Sequence, residues 1–149
     1  MLTTTNEPLL QSAARKHWTS RTFDVLRWVA VLPGAALGAV IASGLTVLIN
    51  RWTAGAYVDV DSFLFRAWVV TIQHQVLAWA FVCGAAFIAP QYRRNVAFAA
   101  TAVCILASGF ALFPAVQTQA WWSVYAGVIT AIGGGAAGWT VYSGDLDFV

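Results

Sequence analysis

Long apolar runs separated by short polar segments recur four times along the chain. A hydrocarbon core roughly 30 Å thick takes about 20 apolar residues at a rise of about 1.5 Å per residue, and each run is long enough to supply them. The pattern predicts transmembrane helices over 27–49, 67–88, 96–113 and 121–142. The segments between them carry helix punctuation. Asn50-Arg51 closes the first run, and Asp59, Asp61 and Ser62 precede the second. Residues 90–95 form a tight hairpin around Pro90, and residues 114–119 make another that begins at Pro114. The expected fold is therefore an all-α integral membrane protein, an up-down bundle of four helices within residues 23–142, with a leader 1–22 and a tail 143–149.

Periodicity within the leader is more local. Leu9, Leu10, Ala13, Ala14, His17 and Trp18 recur at helical spacing while Arg15 and Lys16 point elsewhere, which fits either an amphipathic helix on the membrane surface or an irregular tail. No cleavage site of small residues follows, so no signal-peptide removal is expected. Thr22 is placed to cap the first spanning helix, with Asp24 near its positive end and three residues from Arg27.

Composition strengthens the membrane assignment. Of 149 residues, 60% are hydrophobic and only 9% charged, and the mean hydropathy is +0.71. Soluble domains carry about 25% charged residues. There is no length left for a separate soluble domain, so any catalytic headpiece would belong to a partner. The formal charge of +2 is too small and too dispersed for a nucleic-acid footprint, and reads instead as topology. Arg15, Lys16, Arg21, Arg27, Arg93 and Arg94 lie on one side, Arg51 and Arg66 on the other. The positive-inside rule then puts both termini in the cytoplasm of a cell carrying the protein in its cytoplasmic (inner) membrane, and the acidic tail residues Asp145 and Asp147 do not overturn it. On this topology Trp52, Tyr57, Trp68, Trp121, Trp122 and Tyr125 form an outer aromatic belt, and Trp18, Trp28, Tyr92, Trp139 and Tyr142 an inner one.

Small residues recur every fourth position on two of the runs. Gly34, Gly38 and Ala42 do so on the first, and Gly127, Ala131 and Gly135 on the fourth, with Thr130, Gly134 and Gly138 beside them. Such stripes allow helix backbones to approach closely where no hydrophobic force drives association. They predict packing of the first helix on the fourth, or of either on another subunit. Pro33 should kink the first helix mildly near one end.

Candidate chemistry is sparse. Gln73, His74 and Gln75 lie inside the second run, roughly 10 Å below its start, and Ser43, Ser108 and Thr130 fall at similar depth on the others. They define a possible polar layer across the bundle. Three roles fit it: interhelical hydrogen bonding, a proton or ion pathway through His74, or haem or metal ligation by His74. The other histidine, His17, belongs to the leader, so a bis-histidine haem would need a second copy or a partner chain. The pair Asp59 and Asp61 lacks a third ligand for a metal and is better read as a solvated loop that caps the next helix. Cys83 and Cys104 share a depth, so a contact is allowed, but no CxxC spacing points to zinc or redox work. No phosphate loop, GxSxG, HExxH or intramembrane carboxylate occurs, and proton-coupled transporters generally hold an intramembrane acid.

The run 34–39, Gly-Ala-Ala-Leu-Gly-Ala, with Asn50-Arg51 after it resembles the first helix of fluoride channels, though the later polar and phenylalanine motifs of that pore have no counterpart. The glutamate carried by the first helix of small multidrug exporters has none either. No family is assigned on these residues. The expected function is that of a non-enzymatic accessory or structural subunit packed against a larger membrane protein, with bound lipid and no other cofactor. The alternatives are a small homo-oligomeric channel or transporter built on the polar layer, and a haem- or quinone-binding electron-transfer subunit.

Overall fold

The computed structural model describes residues 7–54, 59 and 61–144, with side chains from residue 25 onward. Four helices follow one another: α1 Glu7–Ala54, α2 Phe63–Ile88, α3 Arg93–Gln117 and α4 Trp121–Ser143. No strand occurs among the described residues. All four are long and apolar enough to cross a membrane, α1 through its part Val25–Ala54. Each contains one of the four apolar runs.

The ends of the helices depart from expectation in instructive ways. Helix α1 runs 48 residues without a break, so Thr22 lies inside it rather than capping it. The stretch before residue 25 is rich in Leu, Ala, Gln, Arg and Lys, strong helix formers, and Pro8 falls in the first turn, where a missing amide hydrogen costs nothing. The leader side chains, with Asp24, His17 and Trp18, lie outside the described residues. Helix α3 also runs past its expected end, through Pro114 to Gln117. A proline cannot donate to the turn behind it, but its carbonyl still accepts, and Pro114 O takes the Thr118 amide at 3.0 Å. The turn is thereby reduced to residues 118–120, with Gln119 left-handed at φ 54°.

The other boundaries follow local chemistry. Ser62 caps α2 by accepting the Phe65 amide at its Oγ, 3.3 Å away. Pro90 follows the end of α2, and Tyr92, left-handed at φ 55°, starts α3 after a very short turn. Gly144 ends α4 at φ 81°, a conformation that suits glycine. The expected loop contains Asp59 and Asp61, and there the Asp61 amide donates to the Asp59 carboxylate at 3.0 Å. Tyr57, Val58 and Val60 lie outside the described residues.

Helix α2 is the centre of the bundle. It touches all three others, α3 and α4 touch each other, and among the described residues α1 touches α2 alone. Among the described residues the expected packing of α1 on α4 does not occur. Facing residues give the directions. Arg27 and Ala35 of α1 meet Ile88 and Gly84 of α2, so these helices are antiparallel. Thr101 and Cys104 of α3 meet Gly138 and Gly134 of α4, also antiparallel, while Thr71 and Gln75 of α2 meet Tyr125 and Gly133 of α4, which are parallel.

The core is built from small side chains. Ala85, Ala86 and Ala89 of α2 pack with Ala35, Ala97, Ala100 and Ala137, and the largest fully buried side chain is Val82. Large apolar groups point outward, among them Phe98, Leu106, Phe110, Trp121 and Trp139. This inverts the arrangement of a water-soluble protein, whose large apolar side chains fill the core. It suits a lipid solvent, in which close backbone contact rather than hydrophobic burial holds helices together. Exposed aromatics gather at both ends: Trp52, Trp68, Trp121 and Tyr125 at one, Trp28, Tyr92, Trp139 and Tyr142 at the other.

Candidate functional site

Consecutive positions on a helix turn by about 100°, so Gln73, His74 and Gln75 cannot share a neighbour. The structure sends each a different way. Gln73 lines a groove toward α1. Gln75 lies against α4, where a Cβ at Gly133 would come within 2.5 Å of its Oε1. The glycine at 133 is what admits the amide. His74 turns back on its own helix, with Nδ1 2.8 Å from the Val70 carbonyl. A carbonyl only accepts, so Nδ1 carries a proton.

Two of the other three members of the polar layer bond within their own helices. Buried Ser43 donates to Val40 O at 3.1 Å, and Thr130 donates to Ala126 O at 2.8 Å. Ser108 is buried on α3, where its carbonyl faces Gly127. Among the described residues, no hydrogen bond links one of these six side chains to another. The polar atoms between helices that do meet were not singled out by depth. Thr71 Oγ1 and Tyr125 Oη lie 2.6 Å apart, and since the threonine hydroxyl already donates to Ala67 O, the tyrosine donates to it. Thr101 reaches the Gly134 carbonyl at 3.3 Å.

Small residues sort into packed and open ones. On α4, a Cβ at Gly127 would meet Leu112, one at Gly134 would sit 3.1 Å from Cys104 Sγ, and one at Gly138 would overlap Thr101. These glycines bring α3 and α4 together. Gly135 has nothing within 4 Å of an added Cβ, and Ala131 is half-buried. On α1 the buried stripe is Val31, Ala35, Ala39 and Ser43, one position round from the expected one. It meets α2 closely, with a Cβ at Gly84 only 3.6 Å from Ala35 Cα. Gly34 touches Ile88, Ala42 is half-buried, and Gly38 and Gly44 stand open.

Charged groups also take unexpected partners. Arg27 Nε donates to Ile88 O at 3.2 Å, supplying a cation to the carbonyl end of α2 and pinning α1 there. Arg66 lies over the Trp122 ring, 5.5 Å from its centre, in a cation–π contact between α2 and α4. Cys83 and Cys104 are free thiols, and Cys104 faces α4, with Sγ 3.9 Å from Thr130 O. Among the described residues no three His, Cys, Asp or Glu side chains gather into a metal-binding group. What the arrangement offers is surface: three helices closed on one another and a fourth attached along one edge. Compared with protein-family models, curated proteins and solved structures, the chain matches none.

Proposed function

We propose that the chain is an accessory subunit of a larger membrane-protein assembly, seated in the cytoplasmic (inner) membrane with both termini in the cytoplasm. The observation that supports this is the open face of α1. That helix buries one narrow stripe against α2 and touches no other helix among the described residues. Its remaining circumference exposes Gly38 and Gly44, where an added Cβ would meet nothing within 4 Å. Gly109 on α3 and Gly135 on α4 are equally open, so what sets α1 apart is its contact with a single helix, which leaves the larger part of its surface to another protein. The side chains expected to form a pathway instead diverge, which favours assembly over conduction.

Purification of tagged protein from its native membrane in a mild detergent tests this reading, with mass spectrometry of companions and an absorption spectrum of the same sample. A stoichiometric larger membrane protein is the expected companion, and His74→Ala leaves it bound. A colourless homo-oligomer whose ion flux His74→Ala abolishes would replace the subunit reading by a channel. A visible absorption band lost in the same variant would replace it by a haem protein.

A further inference from the structure

A groove of about 500 Å³ opens between α1 and α2, at the end where α1 finishes and α2 begins. Its mouth is charged. Arg51 from the last turn of α1 and Arg66 from the first turns of α2 face it, with the Asp61 carboxylate from the connecting segment. Below the mouth the walls become apolar at Val47 and Val69, and the Gln73 amide lies deeper on the same face of α2. Seven residues separate Arg66 from Gln73, which is about 10 Å along the helix.

We infer that this groove holds one anionic phospholipid, its phosphate between Arg51 and Arg66 and its acyl chains along Val47 and Val69. Charge is the first argument. Among the lining side chains two guanidinium groups stand against one carboxylate, with Asp59 beside the lining on the Asp61 amide, and a phosphodiester is the complement of the paired arginines. Arginine offers a planar fork of donors that grips phosphate through paired hydrogen bonds. Among the described residues neither arginine makes an ion pair. Arg66 is already positioned by its cation–π contact with Trp122.

The depth profile is the second argument. A soluble anion needs only the mouth, whereas an amphiphile uses the whole length of the groove. The phosphate sits at the level of the helix ends, the apolar walls at Val47 and Val69 beneath it take the glycerol esters and the start of the chains, and the Gln73 amide lies beside the chains about one turn deeper. A volume of this size holds a headgroup and glycerol, and the tails continue over the exposed apolar faces of both helices. The site also places a lipid on the one seam that joins α1 to the bundle. It depends on the chain lying in a membrane and not on any partner protein.

The test is native mass spectrometry of the full-length chain, delipidated in mild detergent and titrated with phosphatidylglycerol, with phosphatidylcholine of the same chains, and with inorganic phosphate. One equivalent of phosphatidylglycerol should bind about tenfold or more tightly than phosphatidylcholine. Arg51→Gln and Arg66→Gln should each weaken it by about tenfold, as expected for loss of a charge-assisted hydrogen bond, while Arg94→Gln, at the far end, leaves it unchanged. Arg51→Lys and Arg66→Lys keep the charge, so a several-fold loss in these variants reads the lost fork without a change in fold. In the unsubstituted protein, a phosphatidylglycerol with a photoreactive group at the top of one chain should mark peptides containing Val47 or Val69. Equal binding of both lipids, insensitivity to the arginine substitutions, displacement by millimolar phosphate alone, or labelling spread over all four helices would each overturn the proposal.

Discussion

Replacing Gly138 by alanine places a methyl group where Thr101 already stands. The added Cβ would lie 3.1 Å from Thr101 Cβ and Cγ2 and would overlap its Oγ1. Threonine is β-branched and stiff at χ1, and this hydroxyl is held by Ala97 O at 2.9 Å and Gly134 O at 3.3 Å. Rotating it away therefore breaks a bond between helices and brings another heavy atom into the same space. The remaining response is separation of α3 from α4. Overpacking of this kind costs about 1–3 kcal/mol, and the interhelical hydrogen bond adds about 0.6 kcal/mol. The better helix propensity of alanine returns about 0.5–1 kcal/mol. The net expectation is a loss of about 1–2 kcal/mol, or roughly a tenfold fall in the folded-to-unfolded ratio. Gly135→Ala is the internal control. It lies on the same helix, with nothing within 4 Å of the new methyl group, and should be neutral or slightly stabilising. Denaturation of both variants by sodium dodecyl sulfate in mixed micelles, followed by circular dichroism, measures the difference. Thr101→Ala combined with Gly138→Ala should recover part of the loss, because two of the three clashing atoms are gone. Equal stability of Gly138→Ala and Gly135→Ala would refute the close contact of α3 with α4.

Other perturbations reach different parts of the structure. Arg27→Ala removes the side-chain donor to Ile88 O and should cost about 1–2 kcal/mol, seen as weaker disulfide trapping between cysteines placed at Ala35 and Gly84. Ala35→Leu should loosen the same seam by overpacking, by about 1–3 kcal/mol, whereas Gly38→Leu should leave the isolated chain intact and weaken only its association with a partner. Ser62→Ala deletes the cap of α2 and should lower stability in micelles by about 0.5–2 kcal/mol. Membrane-impermeant maleimide should label a cysteine at Gln119 in intact cells and one at Arg94 only in inverted vesicles; the reverse pattern would invert the topology.

The spans were legible because a run of some 20 apolar residues admits few other structures. Which faces of those helices meet was not. A helix that is apolar all round offers no amphipathic stripe to read, and on α1 two small-residue stripes lie side by side. One contains Gly34, Gly38 and Ala42; the buried one contains Ala35, Ala39 and Ser43. Nothing local separates them, because the choice is made by Gly84 and Ile88 of α2 far along the chain. The glycines of α4 were recognisable as packing residues, but their partner was not, since Thr101 looks like any other polar residue in an apolar run. Depth alone grouped Ser43, His74, Ser108 and Thr130. Depth says nothing of azimuth, and Ser43, His74 and Thr130 each bond a carbonyl of their own helix rather than one another. The Arg51 and Arg66 groove escaped for a related reason: both were read as topology markers, and only the return of the hairpin brings them together. A sign was present in Arg66 and Gln73, seven residues apart and therefore on one face of α2.

The subunit reading turns on what covers the open face of α1. Ile41, exposed and midway between Gly38 and Gly44, is the position from which to ask. A photo-crosslinking amino acid placed there and illuminated in native membranes should yield one discrete adduct containing a different and larger polypeptide, while the same group at Phe110 on α3 yields none. Adducts at Ile41 consisting only of lipid, or only of a second copy of the chain, would contradict the account.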